Sequence, residues 1–471
     1  MLPSVETTAN TPGPAAHGGL ARRFDLAARG SSVRVELLGG LATFLTMSYI
    51  LFVNPAILST AGLPFEAVAV TTALAAAIAT AAMGLVTNLP FALAPGLGIN
   101  AIVAFDLVAG RGLEWPVAMA VIVIEGLLAL VLVVAGLREA IMRAIPLSLK
   151  LAIGVGIGLF ITLVGLREGG IVVNDPATGI ALGDLSGGPP LIALGGIAVA
   201  AVLAVRGVRG AVIGGVLAAT ALGLVAGVLD GPSGVARWPG SSDFGTIGDS
   251  LAPGNLRDAL SLSLVPVIFA LFMTDFFDTI GTAVAVGRSA GLADPAGELP
   301  NTRRLLLVDS GAAALGGAMG CSSVTTYVES GAGVAEGGRS GLSSLVVSGF
   351  FALSVFFVPL IALVGQGVAV SKTTTIHPAI APALVMVGYL MIRLVAEIDW
   401  NAPEHSLPAF LVIGGIPLTF SIAAGIGLGV LGYVLVMVAL RRARELHPLM
   451  WGVGALFVAF FASDWLSANV F

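Results

Sequence analysis

Apolar stretches recur along the whole chain with short polar interruptions, at 37–58, 67–87, 91–109, 116–136, 147–166, 190–206, 210–229, 259–287, 305–319, 322–336, 341–364, 377–396, 407–421 and 422–440. A membrane-crossing helix needs about 20 apolar residues, so the pattern predicts fourteen spans joined by short loops. A fifteenth run, 450–461, is too short for a span on this measure and reads as an interfacial helix. One stretch breaks the pattern from within: 319–343, MGCSSVTTYVESGAGVAEGGRSGLS, sets Glu329 among Gly, Ser and Thr between two apolar segments. A carboxylate at that depth costs several kcal/mol and usually faces a polar cavity or a transport path. Helices broken near the midplane are where secondary transporters build their binding sites.

Composition sharpens this picture. The chain is 57% hydrophobic and only 10% charged, with a mean hydropathy of +1.02, whereas soluble domains are about a quarter charged. An all-α polytopic membrane protein is expected, with no room for a separate soluble catalytic domain and nothing to recruit nucleic acid. The 63 Gly and 25 Pro lie largely inside apolar runs, where close packing and helix breaks use them. A single cysteine, Cys321, excludes an intramolecular disulfide framework and a cysteine metal cluster. The first twenty residues lack the basic start and apolar core of a cleaved signal and read as a cytoplasmic tail.

Basic residues favour cytoplasmic loops. Arg22, Arg23, Arg29, Arg34, Arg138, Arg143, Lys150, Arg206, Arg209, Arg303, Arg304, Arg339, Arg441, Arg442 and Arg444 all fall on one side of the predicted spans, with Lys372 a minor exception. This places the N- and C-termini in the cytoplasm and the loops bearing Asp175, Asp184, Asp230, Asp243 and Asp249 outside. A weak internal repeat agrees: a shift of 229 lays 94–105 on 323–334, Asn100 on Glu329, and Thr46 and Tyr49 on Asp275 and Asp278. Seven spans separate the halves, so they would have opposite topology, with a site between them.

The candidate chemistry sits in three spans. In span 8, Asp275 and Asp278 stand three residues apart, on one helical face with Thr279 and Thr282. Two buried carboxylates on one face do not both stay ionised cheaply, which makes one a candidate proton carrier; the alternative is that they cap backbone or pair with an Arg. Glu329, beside Thr325, Thr326, Tyr327 and Ser330, suits recognition of a polar ligand or uptake of a proton, the alternative being satisfaction of unwound backbone N–H groups. Asn100 lies in APGLGINA, where Pro95, Gly96 and Gly98 break span 3; its amide offers donor and acceptor to a heterocycle edge, or a plain helix–helix hydrogen bond. Asp106 reads as a residue near the aqueous end, the alternative being a second cavity acid, and Glu125 in span 4 as either cavity-facing or packed on a polar group. GVGIGLF at 154–160 has no preceding strand and is not read as a nucleotide loop, and four scattered His, including His377 and His447, make no metal site.

The segments GGLATFLTMSYILFVNPAIL (39–58), APGLGINA (94–101), TDFFDTIGT (274–282), ELPNTRR (298–304) and TYVESGAGVAEGGRSGL (326–342) resemble the AzgA-type purine permeases, a branch of the nucleobase–cation symporters that also includes xanthine, uric acid and uracil permeases. The resemblance runs from about Arg34 onward. It implies a 7+7 inverted-repeat fold with broken spans 3 and 10, each carrying a short strand. A substrate-carrying core domain would comprise 34–137 and 255–364, and a gate domain 138–230 and 375–441, with 1–33 a tail and 442–471 a terminal segment. It also implies proton-coupled purine uptake by an elevator-like motion, dimerisation through the gate, and no cofactor beyond the coupling proton. The family's binding residues match Asn100, Asp275 and Glu329, with Asp278 in support, and Gly98 and Thr326 lie beside them in the two breaks. Departures are Ile102 and Val103 in place of aromatics, Asp106 in place of an uncharged residue, and the extra acid Glu336.

The expected function is import of hypoxanthine, guanine or adenine with protons carried by Asp275, Asp278 or Glu329. Alternatives are a same-fold carrier of anions or of other nucleobases, disfavoured for anions by an acidic site, and remotely an intramembrane aspartyl protease. The latter rests on Pro382-Ala383-Leu384 without an accompanying GxGD.

Overall fold

The structure, a computed structural model, describes residues 19–136, 145–208, 210–292, 299–370 and 375–469. Residues 1–18 of the expected tail, and Arg138, Arg143, Arg209, Glu298 and Lys372, lie outside the described residues.

The chain is a mostly helical multi-pass membrane protein. Among the described residues, eight helical segments are long and apolar enough to cross a membrane: Val33–Ser59, Phe65–Thr87, Trp115–Val134, Leu147–Glu168, Gly188–Val205, Val267–Ser289, Gly341–Val364 and Ile422–Ala439. Shorter apolar helices, Leu97–Gly110 and Ala211–Val225 among them, fill other predicted runs. In order, α1 is Gly19–Arg23, α2 Val33–Met47, α3 Ile50–Ser59, α4 Phe65–Thr87, α5 Leu97–Ala101, α6 Trp115–Val134, α7 Leu147–Glu168, α8 Gly188–Val205, α9 Ala211–Val225 and α10 Pro253–Ala259. They are followed by α11 Val265–Ser289, α12 Thr302–Met319, α13 Ser330–Ala335, α14 Gly341–Ser354, α15 Val358–Val364, α16 Ala381–Met391, α17 Pro403–Thr419, α18 Ile422–Ala439 and α19 Pro448–Asn469.

Spans 3 and 10 are broken where expected. Pro95 has no N–H to give a helix, and Val324, Thr325 and Thr326 are β-branched, which favours extended backbone. Strand β1, Leu93–Pro95, therefore pairs antiparallel with β4, Val324–Thr326 (β2, Val172–Asp175, and β3, Gly179–Leu182, form a hairpin elsewhere), with Leu93 opposite Thr326 and Pro95 opposite Val324. Gly96 N–H donates to Ser323 O at 2.9 Å and Tyr327 N–H to Ala92 O at 3.0 Å, extending the ladder at both ends. In hydrocarbon every backbone polar group needs a partner, so each break supplies what the other lacks. Short helices leave both strands: α5, continuing as a π-helical turn to Gly110, and α13.

The helices around this crossing pack closely. α14 lies against α2 and α4, and α12 against α4 and α6. A side chain on Gly341 would run into Gly84 O, and one on Gly84 would sit 2.5 Å from Gly341 O, so α4 and α14 meet backbone to backbone. A second group comprises α7 against α16 and α17, α17 against α18, and α8 against α9 and α16. The two meet where α5 touches α7 and where α11 touches α18 and α19.

The described residues before span 1 pack on the bundle: Phe24 and Leu26 are buried with Leu342, and Arg29 donates to Arg339 O at 2.7 Å. The fully buried Glu36 completes this anchor, accepting from Ser31 Oγ, Arg339 N, Ser340 N and Ser343 Oγ at 2.6–3.3 Å. The run at 450–461 is part of the 22-residue α19, which packs along α18 and extends past the apolar run.

Candidate binding site at the crossing of the two broken spans

Glu329 is the N-cap residue of α13, immediately after β4, and is half-buried. Its Oε1 accepts a 2.5 Å hydrogen bond from the hydroxyl of Tyr49. Tyr49 is itself almost fully buried, at the joint between α2 and α3. The adjacent Tyr327 donates to Pro95 O, also at 2.5 Å, so its ring bridges from one broken span to the other.

Asn100 lies within α5 and is fully buried, and among the described residues neither its amide oxygen nor its amide nitrogen has a hydrogen-bond partner. Buried polar groups are nearly always satisfied, so this amide is prepared for a partner of its own. The repeat predicted that Asn100 and Glu329 occupy equivalent places; the helices differ in register. β1 starts at 93 and β4 at 324, α5 at 97 and α13 at 330, so Asn100 falls inside its half-helix whereas Glu329 caps the other.

The two acids of span 8 separate despite their three-residue spacing. Asp275 is buried, with Ser323 Oγ donating to its Oδ1 at 3.3 Å. Asp278 is exposed although it lies midway along α11. Glu329, Tyr49, Tyr327 and Asp309 are all within electrostatic range of Asp278. The structure thus gathers Asp278 and Glu329 at one locus and keeps Asp275 behind it against the β4 approach.

Thr326 and Gly98 serve the frame visibly. Thr326 N–H donates to Asp309 Oδ1 at 3.2 Å and its hydroxyl to Thr279 O at 3.4 Å. A side chain on Gly98 would lie 3.1 Å from Ile157, so glycine lets α7 approach α5. Asp106 is buried, accepting from Arg111 Nε at 3.0 Å and Ser421 Oγ at 2.7 Å. Glu125 is fully buried in α6, and His377 pairs with Glu168 at 2.8 Å, away from the crossing.

Sequence reasoning missed Asp309, Tyr49 as a partner of Glu329, and Thr279 and Thr325 as a pair. Asp309, fully buried in α12, accepts from Thr279 Oγ1 at 2.7 Å, Thr325 Oγ1 at 3.5 Å and the Thr326 backbone, while the two threonine hydroxyls bond each other at 2.8 Å. The signal was available, since Asp309 is an acid inside an apolar run and such residues are functional candidates by default. Tyr49 carried no such signal: a tyrosine in an apolar run is ordinary, and only the fold brings it to Glu329.

The chain is 40% identical over 447 residues to the guanine/hypoxanthine permease PbuG of Bacillus subtilis, covering 92% of this chain and 97% of that one. It is 40% identical over 440 residues to the adenine permease AdeQ of Escherichia coli, covering 93% and 95%. The transmembrane domain of the cyanobacterial bicarbonate transporter BicA superposes with a TM-score of 0.58 at 16% identity, over 83% of this chain and 97% of that one, a likeness of fold alone. These are transport proteins, not enzymes, which sets the protease alternative aside. The profile of the permease family, built on xanthine and uracil permeases, matches residues 34–428, and the chain belongs to that family.

Proposed function

We propose that the chain imports purine nucleobases together with protons. The observation that carries this reading is the fully buried amide of Asn100, without a partner among the described residues, on the short helix that follows β1, the strand paired with the β4 that leads to Glu329. An amide and a carboxylate together match a flat heterocycle that offers both N–H donors and ring or carbonyl acceptors. The names of the relatives, permeases for guanine and hypoxanthine or for adenine, support the same substrate class.

In this reading Asn100 and Glu329 hold the base, Asp275 orients the β4 side of the site, and Gly98 and Thr326 maintain its walls. Asp278 lies within electrostatic range of both Glu329 and Asp309, and carboxylates so grouped cannot all remain ionised cheaply. The proton enters and leaves through this group, its uptake relieving the repulsion when the base arrives. The fold is a 7+7 inverted repeat. Spans 1–4 and 8–11 form a core that carries the base past a gate of spans 5–7 and 12–14, and two copies associate through their gates. The grouping of α2, α4, α6, α12 and α14 apart from α7–α9 and α16–α18 supports that division. The basic loops set the N-terminal segment in the cytoplasm.

The test is uptake of labelled hypoxanthine by cells lacking their own purine permeases, competed by unlabelled adenine, guanine, xanthine and uracil at two external pH values. Purines should compete, uracil should not, and acid pH outside should raise accumulation. Glu329→Gln and Asp275→Asn should each abolish proton-coupled accumulation; full accumulation in both would overturn the mechanism.

A further inference from the structure

We infer that α19 is itself a transmembrane helix, so that the chain leaves it on the face of the membrane opposite to the N-terminal segment. Two faces of the bundle are fixed by contacts independent of α19. One carries the N-terminal segment, whose Phe24 O accepts from Asn88 at the end of α4 at 3.1 Å; Asn301 donates to Thr87 O at 3.3 Å and Arg303 to Val134 O at 3.4 Å, so α6 ends on this face too, and α7, the next helix, starts from it beside the start of α17, where Ser148 Oγ meets His405 Nδ1 at 3.1 Å. The end of α18 returns to this face, since Arg442 bonds Glu404 at 2.5 Å. The other face carries the turn after the π-helical segment and the start of α18, joined where Arg111 and Ser421 both bond Asp106.

α19 starts beside Arg442 and runs antiparallel to α18 to the second face. A side chain on Gly454 would lie 3.7 Å from Val434, near the far end of α18, whereas one on Gly427, near its start, would lie 2.7 Å from Phe457. Three residues on, Phe460 lies under the guanidinium of Arg111, 5.2 Å from ring centroid to carbon. α19 has therefore covered the depth of α18 by Phe460 and continues to Asn469. At 1.5 Å per residue its 22 residues extend about 33 Å, against a hydrocarbon core of about 30 Å.

Its surface suits this course. Met450, Val453, Phe457 and Phe460 are buried against the bundle, and the opposite side exposes Trp451 and Val458. An interfacial helix would turn a charged face to water. Here Asp464 is the single charged residue between 448 and 469, and tryptophans stand near both ends, at 451 and 465, the places where aromatic residues anchor a span. The inference does not depend on which face is cytoplasmic, because it relates one end of the chain to the other.

The test is impermeant-maleimide labelling of the full chain in a Cys321→Ser background, in intact and in permeabilised cells. Single cysteines are placed at Arg23→Cys, at Arg444→Cys just before α19, and after a short Gly-Ser spacer following Phe471. The first two should behave alike, and the third oppositely: if Arg23→Cys and Arg444→Cys react only after permeabilisation, the appended cysteine reacts in intact cells. A cysteine after Phe471 that behaves as Arg444→Cys does, or that reacts from neither side, would overturn the inference. Uptake by each labelled variant before modification shows that it has folded.

Discussion

Replacing Asp309 separates the frame of the site from its charge. Its carboxylate takes the Thr326 amide on one oxygen and the Thr279 hydroxyl on the other, in a fully buried setting. Asp309→Ala removes both acceptors. The Thr279 hydroxyl still has Thr325, 2.8 Å away, but the Thr326 amide is left without Asp309 at mid-membrane. An orphaned buried donor costs about 1–3 kcal/mol, and a lost hydrogen bond to a charged group about 1.5–3 kcal/mol. Removing a buried charge returns part of that, so a net loss of about 2–4 kcal/mol is expected. Asp309→Asn keeps an oxygen for Thr326, and its NH2 faces Thr279, whose hydroxyl accepts from it while donating to Thr325. The asparagine variant should therefore keep β4 in place. The assay is detergent-solubilised thermal melting by fluorescence-detected size exclusion, together with purine uptake. Asp309→Ala should melt well below the parent and lose purine uptake as β4 loses its brace, whereas Asp309→Asn should melt near the parent. If the alanine variant melts as the parent does, or the asparagine variant falls as far as alanine, the bracing argument fails.

Other outcomes follow from packing and charge elsewhere. Gly341→Ala forces α4 and α14 apart, because the new methyl meets the Gly84 backbone rather than a side chain that could turn; overpacking of this kind costs about 1–3 kcal/mol, and an unchanged melting temperature would refute the close approach. In the loop between α9 and α10, Arg237 grips Asp243 at 2.5 and 2.8 Å and holds its carboxyl below the usual carboxylate range. The folded value lies below the unfolded one of about 3.9, so the pair's contribution, about 1 kcal/mol for a partly exposed pair, is complete above that pH and is lost as pH falls through the folded value. Asp243→Asn should remove this component of acid destabilisation, and an acid-melting profile identical to the parent's would count against it.

The apolar runs made the membrane class and nearly every helix legible, because hydrocarbon imposes one length and one composition on whatever crosses it. The breaks at 94–101 and 319–330 were legible for a local reason, since Pro95, Gly96 and Gly98, and the Gly, Ser and Thr around Glu329, weaken a helix there. Intramembrane acids announced themselves by cost, and Asp309 would have done so under the same rule. The extent of α19 was not legible, because its apolar run ends before its helix does.

What the sequence determined by itself, then, was a many-spanned transporter with acids and broken helices at its centre. Only the tertiary structure decided which groups meet. Local propensity keeps 93–95 and 324–326 out of helix, but the pairing of β1 with β4 exists because two unsatisfied backbones far apart in the chain find each other in a medium without water. The same long-range closure sets Tyr49 on Glu329 and Asp309 behind Thr326, leaves the amide of Asn100 unmatched, and carries Phe460 to Arg111. Those relations depend on how helices pack across the bundle, and no window of sequence contains both partners.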